Sequence, residues 1–227
     1  MGTITILPET TKYPITMIGQ MAGVCWGTDT SDDAKNYKRG MDCITSGHGR
    51  TLEYPNIYMV LDGYSARVIR EWYTHIGGAP TRLQASTRYI DYGQFDYIIP
   101  ASIAKDEQAK RLYTETMWQI REAVMALEGH ELPREDIALL LPFGMTTRVV
   151  DKRNLRNLID MSRQRLCNRA YWEFRVLFHD IMFALKQYSA EWSMLVDSQF
   201  MPKCDVTGYC TETNSCGRQP KLGGPLK

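Results

Sequence analysis

Leu83-Gln84-Ala85-Ser86-Thr87-Arg88-Tyr89 lies between a helical pattern that stops at Gly77-Gly78 and the strand-like run Phe95-Asp96-Tyr97-Ile98-Ile99-Pro100. On an extended backbone alternate side chains share a face, so Gln84, Ser86 and Arg88 are expected on one side. An amide, a hydroxyl and a guanidinium in that array suit a phosphorylated, hydrogen-bonding small molecule. A second polar cluster, Asn154, Arg156 and Arg165, falls far downstream on a helical pattern. Two separated clusters of this kind point to a nucleotide site.

Helix and strand patterns alternate on either side of this segment. Ile15-Thr16-Met17-Ile18 reads as a short strand, and Ser31-Asp32-Asp33 caps a helix that runs to about Thr45 and closes at Ser46-Gly47. Ile57 to Leu61 is a strand pattern, followed by a helix from Ser65 to His75 that Gly77-Gly78-Ala79-Pro80 stops. Helical spacing returns from Ser102 to Gly129, with Ala109, Leu112, Met117, Ile120, Val124 and Leu127 on its buried face. After breaks at Leu132-Pro133 and Pro142-Phe143-Gly144, one long helix is expected from Lys152 to Tyr188. Its apolar stripe is Leu155, Ile159, Leu166, Ala170, Phe174, Leu177, Ile181 and Leu185. On a second face of the same pattern stand Asn154, Met161, Arg165 and Arg169. Spacing alone leaves open whether that face is solvated or Arg165 enters a cleft. The expected class is α+β, with helices packed around a mixed or antiparallel sheet. Residues 1–201 read as a single catalytic domain, and residues 202–227 as a Cys-, Gly- and Pro-containing extension.

The net charge of +1 gives no global reason to expect nucleic acid or an anionic membrane, so any anion site must be built locally. No apolar run approaches a spanning helix, and Glu9, Pro8 and Pro14 interrupt what a leader would need; a cytoplasmic protein is expected. Six cysteines in 227 residues are not a disulfide framework. Cys204, Cys210 and Cys216 are spaced more widely than the usual thiolate zinc pairs, and no metal is assigned; a fourth ligand would have to come from Cys43, Cys167 or a neighbouring subunit. Cys25 and Cys167 are expected in the core. Trp72, Tyr73, Tyr89, Tyr92, Phe95 and Tyr97 form either a stacking platform or ordinary core.

Several blocks, taken in order, resemble the flavin-dependent thymidylate synthases, from roughly Ala22 to Arg175. Gly47-His48-Gly49-Arg50-Thr51-Leu52-Glu53-Tyr54 is similar to the family's early His-x-Ser-x-x-Glu-His block. Gln84-Ala85-Ser86-Thr87-Arg88-Tyr89 is similar to the end of its Arg-His-Arg signature. Asn154-Leu155-Arg156-Asn157-Leu158, Arg165 and Ala170-Tyr171-Trp172-Glu173 resemble its C-terminal block.

The resemblance implies the thymidylate synthase-complementing-protein-like fold, a homotetramer with sites at subunit interfaces, and an FAD-dependent methyltransferase. The expected reaction converts dUMP to dTMP with methylenetetrahydrofolate as one-carbon donor and NADPH as reductant of the flavin. It implies that Glu71, Gln84, Ser86 and Arg88 contact the nucleotide and that Arg165 is catalytic, placed against the uracil. It further implies that His48, Arg50, Glu53, His75, Asn154 and Arg156 surround the flavin. Neither nucleic acid nor membrane is an expected partner. The signature itself departs, reading Thr74-His75-Ile76, with Arg70 and Arg82 as candidates for the missing charge. Ala138 stands where the family carries a nucleotide-binding arginine, and Asp160 and Arg169 replace its flavin-lining Asn and His. Two alternatives follow from these departures: a paralogue modifying another pyrimidine nucleotide, or a nucleotide-binding protein without turnover.

Overall fold

The computed structural model describes residues 2–223. Its first half comprises β1 (Thr3–Ile6), α1 (Pro14–Cys25), α2 (Asp33–Thr45), a 3-10 turn at Gly49–Glu53, β2 (Asn56–Ser65), α3 (Ala66–Tyr73) and β3 (Thr81–Gln84). Then come α4 (Ala101–Ala104), α5 (Glu107–Glu128), α6 (Arg134–Ile137), a 3-10 turn at Ala138–Leu140 and β4 (Thr146–Asn154). The chain ends in α7 (Leu155–Arg165), α8 (Trp172–Tyr188), α9 (Ala190–Gln199) and α10 (Lys203–Thr207). The strands form one sheet in the order β1-β2-β4-β3, and the class is α+β. Among the described residues no helix is long and apolar enough to cross a membrane.

The chain divides into two compact units, and β2 and β4 each contribute residues to both. One unit holds Leu61–Thr74 and Arg82–Val150. Its core is Phe95, Met117 and Met145, with Tyr92, Tyr97, Tyr113, Ile120 and Leu141 packed against them. Arg121 lies over the Phe95 and Tyr97 rings and donates to the Phe95 carbonyl, tying α5 to the loop. Of the face expected for α5, Met117 and Val124 are buried, whereas Leu112 is 67% exposed. Trp72 and Phe95 are core residues, and Tyr89 is surface.

The other unit holds Ile4–Val60, His75–Thr81 and the chain from Asp151 onward. Its core is the α8 stripe predicted from the sequence (Phe174, Leu177, Ile181, Leu185), closed by Trp192 and Leu195 of α9 and by Ile15 and Ile18 of α1. α1 and α2 pack so closely that a Cβ on Gly19 would fall on the Asn36 carbonyl, and one on Gly40 on the Ile15 carbonyl. Asp32 caps α2 by accepting from Lys35 N, as expected.

Ile15-Thr16-Met17-Ile18 is helical, not a strand. Pro14 opens α1, and Ile15, Ile18 and Ala22 are buried at helical spacing. The free N–H groups of Ile15 and Thr16 donate to Glu191 Oε2 on α9 at 2.6 and 3.0 Å, and Thr16 Oγ1 bonds its other oxygen. A carboxylate at a helix N-terminus is favoured by both the orphan donors and the dipole. Glu191→Ala is expected to lower stability by about 2 kcal/mol, read as a fall in the urea midpoint; an unchanged midpoint would deny the cap its role.

Four further expectations are corrected. The long helix from Lys152 is instead the end of β4 followed by α7, a break at 166–171, and α8. β4 escaped notice because its inward positions run Thr147, Val149, Asp151, Arg153, so two charged residues interrupt the apolar alternation. β3 stops at Gln84, and Ser86 to Arg88 form a turn in which Ile90 N donates to the Ser86 carbonyl and Arg88 N to Ser86 Oγ. Gln84, Ser86 and Arg88 therefore do not share a strand face. The run from Phe95 to Pro100 holds only the isolated Tyr97–Met145 bridge. Cys25 is exposed and Cys167 half-buried, so neither is a core thiol, whereas Cys43 is buried.

Candidate active site

Arg165 closes α7, and the turn at 166–171 leads directly into α8. Its Nε–H donates to His75 Nε2 at 2.9 Å. Phe174 supports both groups: the guanidinium stands 4.5 Å from its ring centroid, and the imidazole meets it edge-on at 5.8 Å. A planar cation gripped along its Nε edge and stacked on a ring has one orientation. Accepting through Nε2 requires the imidazole to be neutral, with its proton on Nδ1. Burial, then the nearby Arg165 and Arg153 cations, depress His75 to about 4.

That depression has a definite sign. The unfolded histidine titrates near 6.5, so between about 4 and 6.5 the unfolded chain binds the extra proton. Stability from His75 is complete above pH 6.5 and is lost as pH falls toward 4. The thermal midpoint is expected to drop across that window, and His75→Gln, which has nothing to titrate, should flatten the slope. Identical slopes for both proteins would contradict the neutral pair.

Beneath this pair lies a polar element that sequence reading missed. Arg153 and Asp151, both wholly buried on β4, form a bidentate ion pair in which Arg153 Nε and Nη2 donate to the two carboxylate oxygens at 2.6 and 2.7 Å, and Arg153 also donates to Asn157 Oδ1 at 2.7 Å. The buried alternation at 147, 149, 151 and 153 is the signal that the sequence carries for this strand. Asn154 caps α7 by accepting from Asn157 N, and its amide abuts the turn at Gly78, where φ is +71° and a Cβ would collide with it. It belongs to the start of α7, so it shares no helix face with Arg165.

Arg156, on the first turn of α7, pairs with Glu53 of the 3-10 turn at 2.6 Å, about half exposed. His48 precedes that turn and Arg50 lies within it, and both line a cavity of 150 Å³ with Met21, Trp26 and Tyr54. The second unit thus gathers His75 with Arg165, and Glu53 with Arg156.

In the first unit Gln84 Nε2 donates to Thr147 Oγ1 at 3.3 Å, and Arg88, largely exposed, pairs with Glu135 at 2.9 Å. Glu71 is half-buried on α3. Arg82, a candidate for replacement charge, stacks on Tyr73 at 4.4 Å and donates to its carbonyl, while Arg70 is exposed at the end of α3.

The family model for thymidylate synthase complementing protein matches residues 7–189. A flavin-dependent thymidylate synthase of Nitratidesulfovibrio vulgaris is 27% identical, over 86% of this chain and 82% of that one. The enzyme of that name from Clostridium tetani is 25% identical over 98% and 96% respectively. Among solved structures, the flavin-dependent thymidylate synthase of Helicobacter pylori, complexed with FAD and dUMP, superposes with a TM-score of 0.66 at 17% identity. That superposition covers 85% of this chain and 98% of the other. A model matching most of the chain, with relatives along nearly its whole length, decides the matter: this chain belongs to the thymidylate synthase complementing protein family.

Proposed function

We propose that the protein is a flavin-dependent thymidylate synthase, methylating dUMP at C5 with methylenetetrahydrofolate and NADPH. The observation that carries the mechanism is Arg165, held by a neutral histidine and stacked on Phe174 in the family's C-terminal block. A cation of fixed orientation against the uracil carbonyl stabilises negative charge as the pyrimidine C5 becomes nucleophilic, at no cost of reorganisation. Because His75 is neutral, it fixes that guanidinium without adding a second charge at the pyrimidine. Gln84, Ser86, Arg88 and Glu71 are assigned to the nucleotide. The hydroxyl and guanidinium suit its phosphate, with Arg88 exchanging its exposed partner Glu135 for the dianion.

The chemistry a bound FAD would supply, after reduction by NADPH, is the hydride for the new methyl group. The donor set fits it: His48, Arg50, Asn154 and Arg156 offer cationic and amide donors, with Glu53 orienting Arg156. The cavity beside His48 and Arg50, at 150 Å³, is smaller than the roughly 300–1,000 Å³ of a complete small-molecule site. A homotetramer in which neighbouring subunits complete each site accounts for that size. Residues 1–201 are assigned to catalysis and residues 202–227 to an extension, in a cytoplasmic enzyme.

The test is optical. Purified protein should be yellow, and dUMP should perturb its flavin spectrum. A colourless protein that cannot be reconstituted with FAD, or a spectrum indifferent to dUMP, would overturn the reading.

A further inference from the structure

Beyond residue 189, where the family match ends, the chain folds back over the α7–α8 turn and walls two adjoining cavities. The first, of 480 Å³, presents five basic side chains, Arg163, Arg165, Arg169, Lys203 and Arg218, and one carboxylate, Glu212. Some of that charge is answered locally: Arg218 is held by Asp205, Arg163 stands 3.5 Å from Asp160, and Arg169 stands 3.9 Å from Glu212. The lining itself still carries five basic side chains against one carboxylate, in a chain whose net charge is only +1. The second cavity, of 440 Å³, shares Asn168, Pro202 and Arg218 with the first and is lined further by Arg175 and His179. Volume and sign of charge call for an extended anion.

We propose that these joined cavities bind the anionic end of a co-substrate, either the carboxylates of a folate glutamyl chain or the phosphates of the nicotinamide dinucleotide. The inference rests on the thymidylate synthase reading. Arg165 contributes to the first cavity's wall, so a ligand anchored there lies beside the assigned reaction centre. Cys167, Cys204, Cys210 and Cys216 line the same cavity. Among the described residues no group of three or more His, Cys, Asp or Glu is disposed to hold a metal, and burial with the adjacent Asp205 pushes the Cys204 thiol up.

The test is calorimetric titration of the FAD-loaded protein, which needs no turnover. Pteroylpentaglutamate is compared with the monoglutamate, and NADPH with NADH. One of the two more anionic ligands is expected to bind more tightly, with an advantage that shrinks in salt. A paired substitution, Arg163→Ala with Lys203→Ala, should reduce that advantage by about fivefold, and Arg175→Met should reduce it independently. Dependence on glutamyl length identifies the folate; dependence on the 2′-phosphate identifies the reductant. Equal affinities within both pairs, or an advantage untouched by the substitutions, would overturn the proposal. So would one zinc per chain retained by the four thiols, since a closed metal site would fill the first cavity. Loss of dUMP turnover with these binding differences intact would instead sink the reaction and leave the anion site standing.

Discussion

Arg165→Ala is expected to slow the chemical step by about 10²–10³-fold, the usual consequence of removing one preorganised charge-stabilising donor. The fold should survive, because the side chain is only half-buried at the end of α7. Arg165→Lys should recover little. An ammonium has no Nε–H to offer His75 and cannot stack as a plane on Phe174. Loss of the guanidinium also removes one of the two cations that depress His75, so its titration should move up toward the ordinary range. Single-turnover kinetics and a histidine NMR titration report these separately. Parent-like turnover in Arg165→Ala would remove the residue from the mechanism.

The second large effect belongs to stability. Arg153→Met leaves the Asp151 carboxylate wholly buried with its bidentate partner gone. Breaking such a pair from one side costs about 3–5 kcal/mol, a large fraction of the roughly 5–15 kcal/mol that holds a domain together. Asn157 and Met161 lose the same partner, so the start of α7 is expected to loosen as well. The urea midpoint should collapse in Arg153→Met, yet be largely restored in the Asp151→Leu/Arg153→Met double variant, which removes both charges of the pair. A single variant as stable as the parent would show that the pair is not the hidden support it is taken for.

Legibility in the sequence followed physical lines. The α8 stripe and the caps at Asp32 and Ser65 were readable, because each depends on neighbours a few residues apart. The strand β4 was not, because its buried Asp151 and Arg153 neutralise each other across one alternation, and hydropathy cannot register that cancellation. Ile15 to Ile18 looked like a strand because β-branched residues cluster there. Only the packing of α1 on α2 through Gly19 and Gly40, and the cap from distant Glu191, select the helix. At the site, resemblance brought out His75 and Arg165 as separate residues 90 positions apart, but their mutual bond and shared seat on Phe174 required coordinates. The turn at Ser86 to Arg88 shows the same limit, since a local hydrogen bond to Ser86 Oγ ended an extension that composition favoured.

The most direct measurement is a crystal structure of the protein with FAD and dUMP bound. The Arg165 guanidinium is expected within hydrogen-bond reach of a uracil carbonyl oxygen, with His75 Nε2 still accepting from its Nε, and Ser86 and Arg88 on the phosphate. A nucleotide bound with Arg165 turned away from the pyrimidine, in every subunit, would contradict it.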